Sequence, residues 1–297
     1  MKAIGIILAG GNNNRMKELT AKRAVPALPV AGSFRSIDFA LSSMSNSHIQ
    51  TVAVLTQYNA RSLNEHLSSS KWWNFGRKQG GLFLFTPTVT ADNSDWYRGT
   101  ADAMYQNIDF LKRRHEPYVI ISSGDCVYKL DFNRVLDFHI EKKSDITVVC
   151  KDMMYNDDVS RFGVVRMDDE SRITEFDEKP IEASSNTIST GIYVIRRRQL
   201  IELLEAAAEE NRFDFVNDIL VRYKNVKKIY GYKINSYWNN IADIDAYFKT
   251  NMDFLRPSEA ISSGRSRPSA QRWTTCHRPS LIRAQTFQTA SYQVAVS

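Results

Sequence analysis

Four short stretches of this sequence hold residue types suited to phosphate and metal chemistry. In the first, Leu8-Ala9-Gly10-Gly11, two glycines end an apolar run, and Arg15 and the Lys22-Arg23 pair follow in a polar turn. Glycine lets a backbone approach phosphate oxygens, successive N–H groups can cradle an anion, and cationic side chains add charge-assisted hydrogen bonds to a triphosphate. A plain tight turn and a solvated charged loop have the same composition. In the second, Gly99-Thr100 opens a helix-like run, offering first-turn amides and a hydroxyl to an anion or a base edge. Asp102 complements the helix dipole there, and an ordinary N-cap reads the same way. The third, VIISSGDC, ends an apolar run at Gly124-Asp125, a natural position for a Mg²⁺-binding carboxylate or for a turn-capping one. In the fourth, FDEKP, Glu178 and Lys179 suit sugar hydroxyls and a sugar phosphate, although such a pair before proline is commonly plain surface. The Asn239-Asn240 pair in YWNNIAD indicates nothing by itself.

Positioning these groups requires strands that end at one edge. Apolar runs at 3–9, 51–56, 118–122 and 145–151 alternate with helix-like segments at 36–46, 60–69, 100–114 and 131–143. Such alternation predicts βαβ units around a parallel sheet, with ligands held outside the carboxyl ends of the strands. A polar and aromatic stretch spans 70–98. Residues 161–195 predict a hairpin turning at DDES and then a strand, STGIYVIRR. Helices near 197–210 and 213–224, a strand at 227–234 and a helix in the second half of YWNNIADIDAYFKTNMDFL complete the order.

Composition narrows the function classes. The chain has 297 residues, 43% hydrophobic and 24% charged, which is ordinary for a globular protein. No apolar run approaches the roughly 20 residues of a membrane span, and Met1-Lys2 leads directly into a strand, without a secretory leader. The three cysteines have neither metal-ligand nor disulfide spacing, which points to the cytoplasm. From Ile261 onward there are five Arg and no Asp, Glu or Lys, so the remaining 34 basic residues face 33 acidic ones. A body of net charge +1 argues against a nucleic-acid partner, since the overall +6 belongs largely to the tail. Residues 257–297 predict a disordered tail, and the abrupt change of composition suggests a truncation or a shifted reading frame.

Taken together the stretches resemble the bacterial glucose-1-phosphate adenylyltransferases. The resemblance covers residues 3 to about 256 and runs through LAGG, FRSIDFALSSMSNS, TQYN, WYRGTADAMYQN, GDCVYK, RFGVV, FDEKP, GIYV and DAYFKTNMDFL in order. It implies an α/β, Rossmann-like nucleotidyltransferase domain over 1–256 with a mostly parallel central sheet. The family's C-terminal left-handed β-helix is absent from this reading. The implied reaction joins ATP and glucose 1-phosphate with Mg²⁺ to give ADP-glucose and pyrophosphate, in glycogen biosynthesis. By position, Leu8, Ala9, Gly10, Gly11, Gly99 and Thr100 fall on the nucleotide site, and Arg15 and Asp125 on catalytic positions. Tyr97, Gly163, Glu178, Lys179 and Ser189 fall on glucose 1-phosphate contacts, and Gln57 and Trp96 on loops that relay allosteric activation.

Three departures accompany the likeness. The family's Gly-x-Gly-x-Arg reads Gly11-Asn12-Asn13-Asn14-Arg15, placing Asn13 on a glycine position. Arg-Ala-Lys-Pro reads Arg23-Ala24-Val25-Pro26, without the lysine. Trp-Arg-Asp-x-Gly-Thr reads Trp238-Asn239-Asn240-Ile241-Ala242-Asp243, so Asn240 stands on a metal-binding aspartate beside the carboxylate of Asp125. Three changes at one reaction centre predict a catalytically weak, regulatory D-type subunit that pairs with a catalytic C-type subunit. A fully competent enzyme and a stand-alone sugar-nucleotide sensor are the alternatives.

Overall fold

The structure is a computed structural model that describes residues 2–75, 80–88, 96–154 and 157–255. The expected unstructured tail at 257–297 lies outside the described residues.

Among the described residues thirteen strands and seven α-helices follow one another: β1 (Ala3–Ala9), β2 (Pro29–Val30), β3 (Phe34–Arg35), α1 (Ser36–Asn46), β4 (Thr51–Thr56), α2 (Arg61–Leu67), β5 (Gly81–Phe85), α3 (Thr100–Tyr105), α4 (Ile108–Lys112), β6 (Tyr118–Ser123), β7 (Cys126–Tyr128), α5 (Phe132–Glu141), β8 (Ile146–Asp152), β9 (Gly163–Met167), β10 (Ile173–Glu178), β11 (Thr187–Arg196), α6 (Arg197–Glu209), β12 (Ile229–Lys233), β13 (Trp238–Asn240) and α7 (Ile244–Leu255). Strand β1 pairs in parallel with β4 on one side and β6 on the other, and β5 extends the parallel set beyond β4. Strand β11 runs antiparallel to β6, and β8 and β12 continue the sheet past it. The nine-stranded sheet is therefore mostly parallel, with β11 and the outlying β10 reversed.

The physical basis is periodicity. Successive side chains of β1 point to opposite faces, so Ala3, Ile7 and Ala9 enter a core that α1, α2 and α5 cover. Ile4 and Ile6 enter a second core under α3, α4 and α6. Strands buried on both faces read as continuous apolar runs, as AIGIILA and TVAVLT do. Helix starts are held by short carboxylates: Asp38 accepts the Arg35 N–H at 2.9 Å ahead of α1, Asp131 accepts the Asn133 N–H at 3.0 Å at α5, and Asp243 accepts the Ala246 N–H at 2.7 Å at α7. Helix α6 turns Leu200, Leu203, Leu204 and Ala207 inward at helical spacing.

The expected elements at 36–46, 51–56 and 118–122 coincide with α1, β4 and β6 within a residue. Three expectations need correction. The single helix at 100–114 is two, because Gln106 and Asn107 leave the helix and Asn107 Nδ2 turns back to the Ala103 carbonyl and to Tyr97 Oη, both at 2.9 Å. The stretch 70–98 contains strand β5, whose GLFLF was hidden among polar and aromatic residues. The helix expected near 213–224 forms over 215–223, but its centre, Val216–Val221, is π-helical.

Two contacts generate predictions. An added Cβ at Gly99 would lie 2.3 Å from the Phe213 carbonyl oxygen, and that carbonyl accepts the Ala101 and Asp102 N–H groups at 2.8 and 3.2 Å. Gly99→Ala should therefore cost about 1–3 kcal/mol in chemical denaturation, as overpacking against backbone does. An unchanged midpoint would show that the 213 segment yields freely.

His139 is 1% exposed, its Nδ1 sits 2.8 Å from Thr147 Oγ1, and its Nε2 has no hydrogen-bond partner among the described residues. Burial, reinforced by the Arg196 charge, pushes its pKa down to about 4 from 6.5. A depressed histidine stabilises the fold fully above pH 6.5, and that contribution is lost as pH falls toward 4. The lost share is about 3 kcal/mol over this window. In thermal melts, His139→Gln should show a smaller fall in midpoint between pH 7 and pH 4.5 than the parent chain. Parallel losses would assign the acid sensitivity to other groups.

Candidate active site

Parallel pairing brings the carboxyl ends of β1, β4 and β6 to one edge, where they deliver Gly10-Gly11, Gln57-Tyr58 and Ser123-Gly124-Asp125. The chain leaves β1 toward β4 and β5 and then returns to β6 on the other side, so a crevice opens between β1 and β6. A cleft of about 480 Å³ lies there, lined by Leu8, Ala9, Gly10, Gly11, Val25 and Gln57 and by Tyr97, Gly99 and Thr100 opposite. A second cleft of about 500 Å³ contains Arg15, Arg161, Gly163, Glu178, Lys179, Ser189 and Asn240. Asn12, Asn13, Ser123 and Asp125 line both, so the two clefts meet at Asp125.

The second cleft owes its shape to a defect in β11. Ser189 pairs with Cys150 but Tyr193 pairs with Val148, so three residues face one across the intervening bulge. Gly191 carries the required positive φ of 73°, and Thr190 Oγ1 donates to the Val149 carbonyl at 2.8 Å. The bulge turns Ser189, Thr190 and Gly191 toward the hairpin of β9 and β10, where Gly163 and Glu178 lie opposite each other. Burial pushes the Glu178 carboxyl above its ordinary value, and the Lys179 ammonium, 3.3 Å away, opposes that shift.

At the junction, Ser123 Oγ donates to Asp125 Oδ1 at 2.5 Å. Next to it, the short strands β7 and β13 pair Cys126 with Asn240. The amide of Asn240 is engaged at both ends: its Oδ1 accepts the Ala242 N–H at 2.9 Å and its Nδ2 faces Cys126 Sγ at 3.3 Å. A backbone N–H can bond only the amide oxygen, so one of the two lone pairs of that oxygen is already taken. Among the described residues no cluster of three or more His, Cys, Asp or Glu forms a metal cage. Asp125 alone suits a Mg²⁺ that takes its other ligands from phosphates and water.

The glycine loop is tethered as well. Asn13 Nδ2 donates to the Ala242 carbonyl at 2.6 Å, and Asn13 Oδ1 accepts the Arg15 N–H at 3.0 Å. Asn13 thus spans from the loop after β1 to the turn after β13. Val25 is 4% exposed and packs with Met16, Leu28, Val30, Phe39, Val127 and Ile241, so the wall it contributes is apolar. Ser36 Oγ lies 3.1 and 3.3 Å from the Gly124 and Val25 carbonyls and pins the two loops together.

The structure places fifteen of the expected site residues on one cleft or the other and leaves Trp96 outside both. Trp96 is 61% exposed and stacks on Tyr58 at 5.8 Å and 17°, while Gln57 holds the neighbouring Tyr97 by accepting its N–H at 2.8 Å. Tyr97 lines the first cleft, with the glycine loop, rather than the second. The open helix end expected at Gly99-Thr100 is corrected: the Phe213 carbonyl caps α3, and Thr100 Oγ1 accepts the Phe215 N–H at 2.8 Å. Arg98 and Arg161, which the sequence reading did not single out, also line the clefts; Arg98 is ion-paired with Asp102 four residues on and Arg161 with the distant Asp243.

Comparison with known proteins agrees with this arrangement. Residues 4–256 match the nucleotidyl transferase family model. The chain is 40% identical over 255 residues to a glucose-1-phosphate adenylyltransferase of Clostridium novyi, covering 85% of this chain and 66% of that protein. It is 40% identical over 262 residues to that of Clostridium acetobutylicum, covering 87% and 69%, and 39% identical over 253 residues to that of Lachnospira eligens, covering 85% and 60%. The chain thus spans about two thirds of the length of these relatives. With its strand-end glycine loop, its carboxylate at the crevice and this likeness along nearly its whole described length, the chain belongs to the nucleotidyl transferase family, among sequences similar to the glucose-1-phosphate adenylyltransferases.

Proposed function

We propose that this chain is a glucose-1-phosphate adenylyltransferase subunit with weak activity of its own, which binds ATP and glucose 1-phosphate or ADP-glucose and modulates a catalytic partner chain. The observation that carries the reading is the meeting of two clefts at Asp125, one with a glycine loop and the other with Glu178, Lys179 and Ser189. In it, the glycine loop and Arg15 hold the triphosphate, and Glu178 and Ser189 orient the sugar by its hydroxyls. Lys179 faces the sugar phosphate, which attacks the nucleotide's α-phosphorus and displaces pyrophosphate. Gln57, through the Tyr97 backbone, and Trp96, through its stack on Tyr58, join the nucleotide cleft to the exposed surface, which supports a relay role.

Such transfers depend on positioning and on charge stabilisation more than on covalent catalysis. Asp125 would hold Mg²⁺ together with substrate phosphates, and the ion would supply charge neutralisation between attacking and leaving oxygens. Weak activity is supported by three features of the site. The Asn240 oxygen is bound to Ala242, the wall at Val25 lacks a cation, and Asn13 ties the loop to the Ala242 carbonyl.

Purified alone, the chain should form ADP-glucose at a rate at least about a hundredfold below that of a catalytic relative, the scale of losing one preorganised charge contact. Adding a catalytic chain should change the activity or its response to effectors. Turnover equal to that of the relative, with no partner added, would establish the chain as a competent enzyme.

Restoring the missing groups should restore chemistry. A lysine at position 25 can run its stem along the apolar wall and place its ammonium in the cleft. Val25→Lys with Asn240→Asp and Asn13→Gly should raise ADP-glucose formation about tenfold or more, with the gain abolished by a chelator of divalent metals. A folded triple variant that binds both substrates and stays inert would place the deficit elsewhere.

A further inference from the structure

Arg161 lines the second cleft beside Glu178, Lys179 and Ser189, with 29% of its side chain exposed. Its guanidinium is ion-paired with Asp243, and its carbon lies 5.6 Å from the Phe162 ring centroid. The Nε–H is buried and has no hydrogen-bond partner among the described residues. A buried donor without an acceptor carries a free-energy cost, so the guanidinium in its present pose leaves one donor unsatisfied. Of the other cations on this cleft, Lys179 is ion-paired with Glu178 and Arg15 is exposed. Asp158, hydrogen-bonded by Ser160, also senses the charges of Arg161 and Arg15, which puts the two guanidinium groups in one electrostatic neighbourhood.

We infer that Arg161 is a phosphate-binding residue of the second cleft and that Asp243 is a positioning residue that holds it back and lowers the affinity for a sugar phosphate. The inference rests on the sugar-phosphate reading of that cleft. Arginine grips phosphate through parallel N–H groups of its planar fork, and the Asp243 carboxylate competes for the same groups. Binding then exchanges one anion for another, and the strength of the Asp243 pair sets the affinity. Asp243 stands in the turn after β13, at the position where the resemblance has threonine, so the competing charge is a property of this chain.

Asp243→Asn tests the exchange cleanly, because the amide oxygen can still accept the Ala246 N–H that starts α7. Titration calorimetry with glucose 1-phosphate, and separately with ATP, would compare the full chain with Asp243→Asn, Arg161→Gln, Arg161→Lys and the Asp243→Asn/Arg161→Gln pair. Asp243→Asn should tighten glucose 1-phosphate about tenfold and Arg161→Gln should weaken it by a similar factor, the scale of one charge-assisted hydrogen bond. Arg161→Lys should recover part of that loss, ATP affinity should stay within about twofold throughout, and Asp243→Asn should have no effect once Arg161 is gone. Unchanged glucose 1-phosphate affinity in Asp243→Asn, or an equal gain without Arg161, overturns the inference while the sugar-phosphate reading stands. Failure of every chain, Asp243→Asn included, to bind glucose 1-phosphate overturns both.

Discussion

The parallel pairing of β1 with both β4 and β6 is the constraint on which the rest of the site depends. Parallel strands share a direction, so their carboxyl ends share an edge, and the hydrogen-bond register sets the ends level. Ala9 stands opposite Thr56 and Leu8 opposite Ser123, which brings Gly10, Gln57 and Asp125 to the same rim although they are far apart in the chain. Further contacts refine this placement. The Gly124 N–H donates to the Leu8 carbonyl at 2.9 Å, and Ser36 Oγ bridges the Gly124 and Val25 carbonyls. Helix α1 thereby fixes the two loops from behind, with its first residue buried beneath them.

Charge in the site is balanced within the protein. Arg98 pairs with Asp102 at 3.0 Å, Lys179 with Glu178 at 3.3 Å, and Arg161 with Asp243. A transferase that stabilises developing phosphate charge benefits from cations already aimed at the ligand and free of competing acids. Here an incoming anion must displace carboxylates or reach the exposed Arg15. The turn Asn240-Ile241-Ala242-Asp243 gathers much of this compensation, because Asn13 binds its Ala242 carbonyl, Arg161 pairs with its Asp243, and the Ile241 N–H donates to the Asp125 carbonyl at 3.0 Å. Asn13 and Asp243, two of the residues that depart from the family pattern, thus act on one turn.

The sequence by itself determined the parts governed by local pattern. Period-two burial and apolar runs located β1, β4 and β6, helical spacing located α1, α5 and α6, and the motif order located the glycine loop, Asp125 and the Glu178-Lys179 pair. Where a residue's role depends on a distant partner, sequence was silent. Strand β5 is stabilised by its ladder to β4 and not by its own composition, so GLFLF read as part of an irregular stretch. The amides at the start of α3 read as an open anion site, and only tertiary contact brings the Phe213 carbonyl to cap them. The bulge in β11 depends on its pairing partners, and the Arg161–Asp243 pair joins positions that no local rule connects. Local pattern fixes which elements form, because hydrophobic periodicity and capping act over a few residues. Several of the contacts that decide whether a site group is available, such as the Phe213 carbonyl on α3 and the Arg161–Asp243 pair, close over long chain separations, and only the folded structure specifies them.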